Sequence, residues 1–146
     1  MTLLRIVATT VILLSPIGAQ AGDWPQWRGP AGTGVSHEMN VTVVWTESRN
    51  VLWKCKLPPW GTSTPAIWGD AIFLTAHTDD NRLHLLRIDK ATGDVVWSRE
   101  TGSGEAVRQT PAKRESQKFH QLHNLASPSP VTDGRTVVAH FGNGDL

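Results

Sequence analysis

The sequence has 146 residues, with 14 Lys and Arg against 13 Asp and Glu, 7 Trp, no Tyr, 13 Gly, 9 Pro and 1 Cys. A net charge near zero leaves no electrostatic footprint for nucleic acid or an anionic membrane, and a single cysteine excludes an internal disulfide framework. Gly, Pro and Trp without a sustained helical period suit all-β structure in short strands punctuated by turns.

Met1 to Arg5 is a short, singly positive start, and Ile6 to Ile17 is an apolar run broken only by Thr9, Thr10, Ser15 and Pro16. Ala19-Gln20-Ala21 then supplies small residues where a signal peptidase reads, so residues 1–21 are expected to be a signal peptide. The run is too short to span a bilayer, which takes about 20 apolar residues. Cleavage leaves 146 − 21 = 125 residues, one ordinary domain, with 14 − 1 = 13 basic residues once Arg5 is gone. Cys55 lies far from the cleavage site, so a lipoprotein anchor is not expected.

Residues 22–49 are expected to pack as an N-terminal segment on the domain that follows. Val51 to Leu57 alternates so that Val51, Trp53, Cys55 and Leu57 share one face of a strand, and Pro58-Pro59-Trp60-Gly61 interrupts it. Ala66-Ile67-Trp68 and Ala71 to Ala76 flank Gly69-Asp70, a two-residue hairpin linker. Arg82 to Ile88 reads as the next strand, Asp89 to Asp94 as a turn in which Gly93 supplies a positive φ, and Val95 to Ser98 as another strand. Asp79-Asp80-Asn81, the densest acidic stretch, favours a hairpin turn over a calcium site.

Two internal matches make this list a repeat. Trp53 corresponds to Trp97, 97 − 53 = 44 residues on, and Thr64 to Phe73 corresponds to Ser129 to Val138, where 130 − 65 = 65. The difference places an insertion, a long polar loop, at residues 102–126. A period in the forties with four short strands is the pattern of a β-propeller blade, and a Trp at a fixed place in each blade offers an apolar plate with an N–H free to bond a neighbouring carbonyl. Ordinary core tryptophans of a β-sandwich are the competing explanation.

Asp89-Lys90-Ala91-Thr92-Gly93-Asp94-Val95-Val96-Trp97 resembles the tryptophan-docking repeat of the pyrroloquinoline quinone (PQQ) propellers. Asp23 to Pro30, His123 to Pro130 and Phe141 to Gly144 resemble an exported bacterial group of PQQ-like, BamB-like propeller proteins. The resemblance implies four-stranded antiparallel blades, about two of them in residues 50–146, with Trp53, Trp97, Gly93 and Asp89 as blade-docking residues. It also implies that this sequence is the N-terminal part of a longer protein, forming an incomplete propeller with an exposed blade face and edge.

Catalysis is less legible. The PQQ dehydrogenases that these repeats resemble have adjacent cysteines, a Trp platform and acidic calcium ligands; here Cys55 is alone and no acidic cluster stands out. No catalytic residue is identified and no cofactor is evident; PQQ and calcium would find a place only in a full-length protein. His120 and His123 are a weak metal candidate, against a simpler reading as loop residues over the propeller mouth. His77 and His140 follow the second strand of each blade and read as strand-end polar residues. Asn40-Val41-Thr42 is a glycosylation sequon that a bacterial-looking leader leaves unused. Trp24, Trp27 and Arg28 either pin the N-terminal segment across a blade, the simpler reading, or form a sugar-binding surface.

The leading expectation is therefore an exported, non-catalytic binding or scaffold protein of the periplasm or cell envelope. It would engage a protein or a polymer through loops at one end. A PQQ-dependent alcohol or sugar dehydrogenase is the alternative, and carbohydrate binding at Trp24 and Trp27 a third.

Overall fold

A computed structural model describes residues 22–39, 41–104 and 123–146. Residues 1–21, Asn40, His120 and most of the expected insertion lie outside them. Among the described residues the structure is all-β. Strands β1 (Ala66–Trp68), β2 (Ala71–His77), β3 (Arg82–Asp89) and β4 (Val95–Ser103) form one antiparallel sheet in that spatial order, and β5 (Val131–Thr132) and β6 (Val137–Val138) form a second. No helix of the described residues is long and apolar enough to cross a membrane.

The 65-residue repeat is visible in the pairing. Ile67 pairs with Ile72 and Ala66 with Phe73, while Thr132 pairs with Val137 and Val131 with Val138, so both hairpins have the same register. The linkers agree as well: Gly69 has φ 58° and Gly134 φ 84°. The four-stranded sheet is one blade, and β5–β6 is the inner hairpin of the next. β1 and β5 are in contact.

β2 lies between β1 and β3 and buries residues on both faces, including Ala71, Phe73, Thr75 and Ala76. Phe73 with Ala66 and Ala71 forms one core, onto which Leu85, Trp97 and Val137 pack. A second core, of Leu83, Ala126 and Phe141 with Leu125 against it, joins the blade to the next hairpin. Burial of the large side chains among them, Phe73, Leu83 and Phe141, supplies about 1.5–3 kcal/mol each.

Two expectations are corrected. Val51–Leu57 is not a strand, although Trp53 and Cys55 are its better-covered side chains. Alternation orients side chains, whereas a ladder requires a partner backbone, and the described residues give this segment none. Secondly, β4 continues to Ser103, past the expected start of the insertion at residue 102. There Thr101 Oγ1 donates to Leu83 O at 3.1 Å, extending the grip of β4 on β3. Arg87 pairs with Trp97 but Ile88 with Val95, so Val96 is an extra residue and bulges β4.

Trp24 forms an antiparallel bridge with Ile67 of β1 through two backbone hydrogen bonds of 2.8 and 2.9 Å, and Thr132 N donates to Pro25 O at 2.9 Å. This short stretch thus binds the inner strands of both blades.

Candidate functional site

The Asp89 turn is built from its own residues. The Asp89 carboxylate accepts the amides of Ala91 and Thr92 at 2.8 and 2.9 Å, and Gly93 N donates to Asp89 O. These Thr92 and Ala91 amides, in that order, hold the carboxyl below its ordinary value. Asp133, capping Thr136 and Arg135 in the second hairpin, is lowered in the same way. Each folded-state pKa lies below the unfolded one, so the associated stability is present above the ordinary carboxylate range and is lost as pH falls through the folded value. We expect the melting temperature to fall below about pH 4. The acid limb should be shallower in an Asp89→Asn, Asp133→Asn variant, which keeps an acceptor oxygen but does not titrate.

Trp53 lies over this turn. Its Nε1 donates to Lys90 O at 3.0 Å, and a Cβ on Gly93 (φ 79°) would come within 2.5 Å of its ring. Lys90 N in turn donates to Asp70 O. Trp97, equivalent by spacing, instead stands half-buried beside Phe73, ring centroids 6.1 Å apart, with the Arg99 guanidinium 5.6 Å from its ring.

Sequence reading missed two connections between the blades. Trp68 lies against Gly134, whose place could hold no side chain without overlapping the indole. Thr75, 3% exposed, shares its hydroxyl between Ala126 O and Pro128 O, each at 3.0 Å. Equivalent positions also bond each other across the repeat: Thr62 Oγ1 donates to Ser127 Oγ at 2.7 Å, and Thr64 N to Ser129 Oγ at 2.8 Å. Thr75→Val, which keeps the shape and loses the donor, is expected to cost about 1–2 kcal/mol in urea unfolding, with Thr75→Ser close to wild type.

These bonds belong to one end of the blade, where several loops meet. His77 N donates to Trp60 O at 2.7 Å, and Trp60 Nε1 to Asp79 Oδ1 at 3.2 Å. His77 Nε2 and Asn81 Oδ1 share a hydrogen bond of 2.7 Å, while Gly104 N donates to Asn81 O. Asn143 Nδ2 reaches Ser103 O, and Gly142 N reaches Leu125 O. A cavity of about 100 Å³ adjoins, lined by Leu57, Pro58, Trp60, Ser63 and Ala76 among others.

The Asp79-Asp80-Asn81 stretch is a hairpin turn whose side chains go to separate partners: Trp60, the Thr78 hydroxyl and His77. The Thr78 hydroxyl is the foremost cause that lowers the Asp80 carboxyl. Such divergent oxygens do not fit a calcium ion, and no group of three or more His, Cys, Asp or Glu converges among the described residues. His123 is exposed at the start of the returning segment, and His120 lies outside the described residues, so their pairing is not placed. His140 is exposed beyond β6, and Cys55 is a free thiol.

At the N-terminal segment the structure separates the two tryptophans. Trp24 is half-buried, bridged to β1 and packed on Gly29, and serves as the pin. Trp27 is 65% exposed, with the Arg28 guanidinium 5.6 Å from its ring centroid.

A family model described as outer membrane protein assembly factor BamB, built on PQQ-type repeats, matches residues 32–146. Neither the curated proteins nor the solved structures gave a match.

Proposed function

The chain belongs to the BamB-type family of PQQ-repeat proteins, and from that premise we propose that it is an exported, non-catalytic propeller-type binding protein. In this reading it works in the periplasm or cell envelope and engages a protein or polymer through the loops at one end of its blades. The observation that supports this most is the way those loops are used. Trp60, Asp79, His77, Asn81, Gly104, Ser103 and Asn143 bond to one another, which yields a shaped, partly apolar surface with Trp60 half exposed. A shaped surface of that kind suits recognition, with aromatic side chains carrying the contact. Fold alone does not settle activity, because propellers host many functions.

The competing reading is a PQQ-dependent alcohol or sugar dehydrogenase. The described residues offer neither adjacent cysteines nor convergent oxygen ligands for it. The test supplies the full-length protein with PQQ, calcium, an alcohol or sugar, and a dye acceptor. We expect no dye reduction above the protein-free rate, and sustained substrate-dependent reduction would overturn the binding reading.

A further inference from the structure

Three non-glycine residues among those described have a left-handed backbone: Arg28 (φ 65°), Asn50 (φ 61°) and Asn81 (φ 63°). Asparagine tolerates this region, and arginine does not do so readily. Arg28 is held there by a tight loop in which Gly34 N donates to Arg28 O at 2.8 Å, Gly29 N to Gln26 O at 2.9 Å, and Gln26 Nε2 to Gly29 O at 3.1 Å. Trp24 packs beneath at Gly29. Glycine at position 28 would meet the same backbone demand without strain. What arginine adds is a guanidinium placed beside the exposed Trp27 indole, with Nη2 tied to Thr33 O at 3.2 Å. Backbone strain beneath an exposed side chain is an outlier from which a function can be hypothesised.

From the Trp27–Arg28 pair we infer a subsite for acidic polysaccharide, specifically for uronic acid units. A pyranuronate carries an apolar C–H face and, on the same ring, a carboxylate. The indole takes the first by stacking and the guanidinium takes the second through planar, charge-assisted hydrogen bonds. A neutral sugar would leave the guanidinium unused, and a simple polyanion would leave the indole unused. The near balance of acidic and basic residues supplies no general attraction for polyanions, so recognition rests on the local pair. This inference rests on the binding reading above and names a polymer class for it.

The experiment measures retention of the full chain on immobilised polygalacturonate, with poly-L-glutamate and neutral dextran as controls. Wild type should be retained on polygalacturonate alone. Arg28→Gly should weaken retention at least tenfold with no fall in melting temperature, since it relieves the strained backbone. Trp27→Ala should weaken retention comparably. Absence of binding to polygalacturonate, equal binding to poly-L-glutamate, or an Arg28→Gly variant that binds like wild type would overturn the subsite. If polygalacturonate fails while another isolated envelope polymer is retained, the uronate subsite falls and the broader binding reading stands. If no envelope polymer or protein is retained, both fall.

Discussion

Phe141→Ala is expected to lower stability by about 3–5 kcal/mol. Phe141 is 2% exposed and packs with Leu83 and Ala126 in the core that joins the first blade to the second hairpin, with Leu125 against it. Its backbone is fixed from both sides, as Phe141 N donates to Asp145 O and Gly142 N to Leu125 O, so the surrounding chain has little freedom to collapse into the space. The cost thus combines lost transfer energy with a cavity. A domain of this size has about 5–15 kcal/mol in all, so the variant should lose a large share of its stability. Urea unfolding is the measurement; the midpoint should fall while the slope is unchanged. Phe141→Leu, which keeps most of the volume, should lose less than about 1.5 kcal/mol.

Gly93→Ala should be the next most damaging change, at about 2–4 kcal/mol. Part of this is the left-handed backbone at φ 79°, which costs an L-residue with a Cβ about 1–2 kcal/mol. The rest is expulsion of Trp53, since the new methyl would stand 2.5 Å from its ring, and with it the hydrogen bond from Nε1 to Lys90 O. A double-mutant cycle separates the two. In a Trp53→Ala background, Gly93→Ala should cost only the backbone share, about 1–2 kcal/mol, leaving a coupling energy of about 1–2 kcal/mol. Equal costs in both backgrounds would mean that Trp53 does not dock on this turn.

Much of the fold was legible in residue order because its signals are local. Alternation and the Gly69-Asp70 linker marked β1 and β2, and Asp89 to Asp94 carried its own capping groups and its glycine. The 65-residue offset held even for which residues face each other across each hairpin. What failed to show depends on distant partners. Val51–Leu57 has the pattern of a strand but no ladder among the described residues, because a side-chain pattern does not supply a neighbouring backbone. Trp53 and Trp97 are equivalent by spacing; among the described residues Trp53 lies on the Gly93 turn, while Trp97 stands beside Phe73 and Arg99. Trp68 against Gly134 and the Thr75 hydroxyl between Ala126 and Pro128 join positions more than 50 residues apart. The one usable signal was the repeat itself, which sets the Trp68-Gly69 corner opposite Asp133-Gly134.

At the candidate sites, sequence grouped Trp24, Trp27 and Arg28 by proximity. The structure divides them, because Trp24 has a backbone partner in Ile67 and a seat on Gly29, whereas Trp27 is largely in solvent. Burial of one of two near neighbours is a tertiary event that their shared sequence context does not encode. Likewise Asp79-Asp80-Asn81 favoured a turn from its composition, but the tie from Asp79 to Trp60 depends on the bridge that brings Trp60 beside His77.

The register between blades is the feature on which the rest depends, and an engineered disulfide tests it most directly. Thr62 Oγ1 and Ser127 Oγ lie 2.7 Å apart, close enough for Thr62→Cys and Ser127→Cys to bridge under mild oxidation, in a Cys55→Ser background that removes the native thiol. A 65-residue blade register predicts quantitative cross-linking, read by mass as the loss of two hydrogens, and a raised melting temperature. A shifted pair, Thr64→Cys with Ser127→Cys, should stay reduced. Free thiols in the first pair alongside bridging in the second would contradict the 65-residue blade register.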